Sequence, residues 1–143
     1  MSRLTINEAG TSGYTDEFVL SASDFTAAAG HAAQLINIPV KKGDVIDGAA
    51  IEVTTAFVGL SSPTLTVGSD ASVGPDDATS LMEAVAIDAL NTAANTGDDL
   101  DGTTATRVIA NADGNLEVVG NVDISAATAG KARLLLSIKR INA

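Results

Sequence analysis

An all-β protein is what the sequence predicts: an antiparallel β-sandwich or jelly roll of about eight short strands with one short helix. Apolar residues recur on alternate positions, as in Ile51, Val53 and Phe57, the period of a half-buried strand. Clusters of Gly, Asp, Asn, Ser and Pro interrupt these runs at short intervals. The apolar content is 45% but the aromatic content only 3%, so small aliphatic side chains, suited to sheets packed on sheets, supply the core.

Residues 1–17 mix Gly, Ser, Thr and charge with little periodicity and read as an N-terminal arm, leaving 18–143 as a single β-sandwich domain. Phe18-Val19-Leu20 is a short strand, and Asp24 to Gly30 a brief helical turn or loop that glycine ends. Gln34 to Val40 is a clearer strand, and Pro39, which cannot donate to a ladder, assigns it to a sheet edge. Lys41-Lys42-Gly43-Asp44 is a turn with its lysines outside. Ala50 to Val58 is a strand that Ser61-Ser62-Pro63 breaks; Leu65 and Val67 resume the alternation, and two antiparallel strands are the economical result. Ser80 to Leu90 is the helix candidate, with Ser80 and Glu83 spaced as a capping box and Leu81, Val85 and Ala89 on one face; a short strand competes with it. Asn91 to Thr104 is a polar loop. Ala105 to Ala110 and Asn115 to Val119 flank Asp113-Gly114, a hairpin cue, and Val122-Asp123-Ile124 follows as a further strand. In the last strand Leu134, Leu136 and Ile138 share one face, with Arg133, Leu135 and Ser137 on the other.

Eight basic residues stand against eighteen acidic ones, a net charge of −10. Between Gly68 and Thr103 lie eight carboxylates and no Lys or Arg, whereas five of the bases follow Thr104. Such a chain repels a polyanion instead of releasing its counterions, so no nucleic-acid partner is expected. The bland reading of the acidic span is a solvated surface that maintains solubility. With no cysteine, disulfides, thiolate catalysis and Cys-based zinc sites are excluded. The first residues lack a charged segment followed by an apolar run, and nothing approaches the ~18 continuous apolar residues of a membrane span. Synthesis in a cytoplasm and no membrane partner are the expectations.

Glu52-Val53-Thr54-Thr55-Ala56-Phe57, followed by Leu65-Thr66-Val67-Gly68-Ser69-Asp70 and Gly74-Pro75-Asp76-Asp77, resembles the middle of small virion proteins of tailed bacteriophages. These are decoration or cement proteins, β-sandwich or jelly-roll modules that clamp the outside of an icosahedral head. The similarity extends as a pattern of strands and turns to Lys131–Ile141. The resemblance implies a structural role on the capsid exterior of a virion made in the bacterial host cytoplasm, the major capsid protein as partner, self-assembly as a homotrimer, and no enzymatic activity. The leader and the basic turn are the expected capsid contacts: Arg3, Leu4, Ile6, Tyr14, Lys41 and Lys42.

Other chemistry is poorly supplied. His31 is the single histidine, so multi-histidine metal sites are excluded, and it reads as a loop residue. No serine sits in a Gly-x-Ser-x-Gly elbow. Asp98, Asp99 and Asp101 could offer calcium oxygen ligands, as could Asp70, Asp76 and Asp77, but neither set has EF-hand spacing. No metal or other cofactor is therefore expected. The alternative to decoration is a tail-fibre or lectin-like module that holds a glycan through calcium in these loops. An acidic cleft assembled from the same residues would be the enzyme alternative.

Overall fold

In the computed structural model, which describes residues 2–5, 14–27, 34–73, 77–94 and 108–140, the chain is an all-β sandwich of two antiparallel sheets. The strands are β1 (Ser2–Thr5), β2 (Asp16–Ser21), β3 (Thr26–Ala27), β4 (Gln34–Val40), β5 (Asp44–Val58), β6 (Thr64–Ser69), β7 (Asp77–Ala86), β8 (Asn91–Ala94), β9 (Val108–Ile109), β10 (Gly114–Gly120) and β11 (Ala129–Arg140). The first sheet runs β1-β2-β11-β5-β8, with β9 also on β5; the second runs β3-β4-β10-β6-β7. Pairing is nested along the chain: β2 with β11, β4 with β10, β5 with β8 and β9, and β6 with β7.

Alternation builds the core as the sequence predicts. Ile51, Val53 and Phe57 point inward from β5, and Leu134, Leu136 and Ile138 from the paired β11. Leu65, Val67, Leu116, Val118, Ile36 and Ile38 face them from the second sheet. The 15-residue β5 is the spine of the first sheet, pairing with β11 from Asp44↔Arg140 to Val58↔Ala129. Beyond Leu35, the side of β4 facing away from β10 has no described partner, consistent with the edge position that Pro39 indicated.

Two expected hairpins are instead crossovers between the sheets. β5 and β6 do not pair: Gly59 at φ +90° and Ser62 at φ +45° carry the chain over the core edge, where Ile87 donates its N–H to Pro63 at 3.1 Å. An inward-facing alternation is the same whether the next strand lies alongside or opposite, so the pattern did not distinguish the two. Asp113-Gly114 likewise joins β9 in one sheet to β10 in the other. Gly114 is required by close approach, not by a hairpin turn: a Cβ there would stand 2.8 Å from Ser72 Cβ and Val73 Cγ1.

Of the predicted helix over Ser80–Leu90, residues 80–86 lie in the bulged strand β7, the competing reading, and 87–90 follow it without helix; the only helical elements among the described residues are 3-10 turns at Ala22–Asp24 and Ile124–Ala126. The cause is irregular register. Leu65 pairs Val85, Val67 pairs Met82 and Ser69 pairs Asp77, so β7 advances three and then five residues while β6 advances two. Those extra residues, with Ala84 at φ +41°, bury Ser80, Leu81, Met82 and Val85, a spacing that imitates a helical face. Val122-Asp123-Ile124 leads into the second 3-10 turn and is not a strand. Asn91–Ala94, read as loop, pairs with Ala50–Val53. In the leader, β1 pairs with Asp16–Val19, and the proposed boundary at 17 falls inside β2.

Within β7, the buried Ser80 hydroxyl has no hydrogen-bond partner among the described residues. Ser80→Ala removes an unpaired polar group, and chemical denaturation should show no loss of stability and a gain of up to about 1 kcal/mol.

Candidate functional site

One end of the sandwich carries the β4–β5 turn, and its lysines are less free than the sequence suggested. Lys42 donates its backbone N–H to Asp113 Oδ1 at 2.9 Å, while Lys41 Nζ lies 3.7 Å from Asp113 Oδ2. Asp44, buried at the start of β5, accepts the Lys41 N–H at 3.0 Å and pairs with Arg140 Nε at 3.4 Å. Gly43, at φ +89°, donates to the Ala110 carbonyl and Ala110 to that of Asp44. Two carboxylates thus fix the turn, and the cations Lys41 and Arg140 are partly neutralised where they stand. The side chains remain exposed and can meet a partner, but as paired charges.

The outer face of the first sheet bears the second group of charges. Arg133 on β11 bridges Glu17 on β2, through its Nε, and Glu52 on β5, through Nη1 at 3.2 Å. Hydrogen bonds to Glu17 and then Glu52 raise the Arg133 pKa above its ordinary value. Lys139 Nζ binds Asp47 Oδ2 at 2.6 Å. Beside this ladder a depression of about 260 Å³ is lined by Tyr14, Ala50, Glu52, Thr92, Ala94 and Leu135, among others, and a second, along Thr54, Leu90 and Asn91, adjoins it.

The predicted contact residues therefore separate. Arg3 and Leu4 lie on the edge strand β1, Tyr14 borders the outer-face depression, Lys41 and Lys42 sit in the sheet-to-sheet turn, and Ile6 lies outside the described residues. His31, Asp76, Asp98, Asp99 and Asp101 also lie outside them. Asp70 Oδ1 accepts the Ser72 N–H at 2.7 Å and the Ser72 hydroxyl, and Ser72 Oγ in turn accepts from Asn115 N–H at 2.9 Å, so this carboxylate ties a turn to β10. No group of three or more metal-ligating side chains occurs among the described residues. Sequence reasoning missed the Glu17–Arg133–Glu52 ladder; alternation puts Arg133 on the outer face, but its partners depend on pairings over more than eighty residues.

Asp47 and Asp113 are among the carboxyls that shape the acid response. Lys139, then Ser137, holds Asp47 below the usual carboxylate range; the Lys42 amide, then the Lys41 ammonium, does so for Asp113. A depressed folded pKa contributes stability above the unfolded value of about 3.9 and loses it as pH falls through the folded value. The denaturation midpoint should hold between about pH 7 and 5 and drop below about pH 4, with a shallower drop in Asp47→Asn, measured by urea melts across pH.

No protein-family model matches the chain, and no curated protein or solved structure is similar to it.

Proposed function

We propose that the chain is a virion structural protein of a tailed bacteriophage, a head decoration protein that binds the outer capsid and stabilises it against internal DNA pressure. The observation that carries the reading is the nested strand pairing. Counting β8 and β9 as one strand along β5, eight strands pair first with last, second with seventh, third with sixth and fourth with fifth. We read this as a jelly roll, an architecture used by viral capsid and lectin domains. The support is at the level of fold, joined to the resemblance through Glu52–Asp77.

In this reading the scaffold presents contacts and performs no reaction. The partner is the major capsid protein, and copies of the chain, grouped as a homotrimer, occupy symmetry-related positions on the virion exterior. Each contact is modest, but engaging several at once converts later binding steps to intramolecular ones. Lys41 and Lys42, exposed on the pinned turn, and Tyr14, half-buried beside the outer-face depression, are the described side chains offered to share in docking. Purified protein is expected to co-sediment, saturably, with heads of its own phage lacking it, and to raise the temperature at which they release DNA. Heads that neither bind it nor gain stability would remove the proposal.

A further inference from the structure

The described sheet margins are not alike: β1 and, along β5, β8 and β9 bound the first sheet, while β3, with β4 beyond Leu35, and β7 bound the second. β1 carries the charged Arg3; β4 carries Pro39, which cannot donate; β7 is bulged, with Ala84 at φ +41°. Charge, proline and bulges are the features that stop another strand from adding to an edge. β8, Asn91-Thr92-Ala93-Ala94, has none of them, and no described strand pairs with the side facing away from β5; β3 and β9 also lack them, but at two residues each they offer too few main-chain groups to seat a strand. Directly before it stands Leu90, 72% exposed, the most exposed large apolar side chain among the described residues.

Register decides what an added strand would meet. Ile51 pairs with Ala93 and is buried, so Ala93 faces the core side; Glu52↔Thr92 and Ala50↔Ala94 face outward. The outward side holds the depression bordered by Tyr14, Leu135 and Glu52. A strand added at β8 would lie about 10 Å, two strand spacings, from β5. Only a long side chain reaches back across that distance, and the small Ala94 and Thr92 leave a path for its stem. At the end of the path lies the Glu52 carboxylate, its side chain 41% exposed. Glu17 and Glu52 share one guanidinium, so the ladder carries a net negative charge, and exposed Asp88 adds another just before Leu90.

From these observations we infer that β8 is a docking edge for an extended segment of another protein chain that adds as a strand and directs a lysine or arginine over Ala94 toward Glu52 and Tyr14. Main-chain bonds along Asn91–Ala94 hold such a segment, and the depression selects its side chain. A second copy of this chain is disfavoured as occupant, because antiparallel pairing of two β8 strands would add the Asp88 and Glu52 charges of both copies to one small contact. The contact goes beyond the virion reading and does not depend on it, since the edge needs no capsid to be tested.

The probe is a blocked peptide of about nine residues alternating threonine and lysine, compared with a threonine–glutamate counterpart. The lysine peptide is expected to bind the full chain at least about tenfold more tightly than the glutamate peptide, and to slow amide hydrogen exchange at Asn91–Ala94. Thr92→Lys places a competing cation beside Glu52 and should weaken binding by about tenfold, whereas Asn37→Lys, an equal charge change on the exposed face of the other sheet, should weaken it less than about twofold. Equal weakening by the two variants would reduce the effect to diffuse attraction by an acidic protein and overturn the inference. Protection confined to another edge, or a chain that dimerises through β8 and excludes the peptide, would overturn it too. Ala94→Lys, also on an exposed position, repeats the test should Thr92→Lys disturb folding, which circular dichroism reports.

Discussion

Phe57→Ala is expected to lower the unfolding free energy by about 3–5 kcal/mol, the usual cost of emptying a phenylalanine site in a core that relaxes only in part. Phe57 is 1% exposed and lies near the end of the spine strand, where the chain is about to leave one sheet for the other. Its backbone N–H donates to Ile87 at 2.9 Å, and Thr128 donates to the adjacent Val58 carbonyl at 3.0 Å. The ring therefore fills the corner where the β5–β6 crossover, the β7–β8 crossover and the start of β11 converge. Among the three phenylalanines its loss should be felt most by these connections. Urea denaturation should show the reduced midpoint with a slope close to that of the parent, since the surface exposed on unfolding barely changes.

Gly130→Ala is the second large effect, at least about 2 kcal/mol of destabilisation from overpacking together with an L side chain at φ +158°. A Cβ at Gly130 would fall on the Phe57 ring, with Cε2 at 2.7 Å, and neither the strand backbone nor a closely packed ring can give way cheaply. Because both substitutions act on one contact, they should not add. In the double variant the space left by Phe57→Ala accepts the new methyl group, so the overpacking part, about 1–3 kcal/mol, should be lost, while the backbone strain at φ +158° stays. Fully additive costs would mean that the glycine is needed for its backbone alone.

Much of this architecture was legible, because one buried face per strand imposes the period of two. Ile51, Val53 and Phe57, and later Leu134, Leu136 and Ile138, mark the core sides of β5 and β11 without any knowledge of pairing. What alternation cannot reveal is which sheet the next strand joins. Leu65 and Val67 would face the core from beside β5 or from across it, and Gly114 would suit either a tight turn or the close approach to Ser72 and Val73 that it makes. The helix read into Ser80–Leu90 failed for a related reason: bulges in β7 shift the buried positions from a spacing of two toward one of three and four.

The candidate contacts were legible as residue types and not as an arrangement. Lys41-Lys42 was recognisable as an exposed basic turn, but Asp113 and Asp44, which hold it, are supplied by the β9–β10 crossover and the spine strand. Tyr14 gains its significance from Leu135 and Ala94, which the sheet brings to the same depression. Long-range register, set by many small packing preferences at once, is the information that local pattern does not contain.

The proposed virion role is tested most directly by locating the chain on mature particles of the phage that encodes it, by electron cryomicroscopy of virions compared with particles from a deletion mutant. Density for the two-sheet sandwich on the outer surface of the head, repeated at symmetry-related positions and missing from the mutant, is the result predicted. Heads identical in the two preparations, or the missing density on the tail instead, would contradict the account.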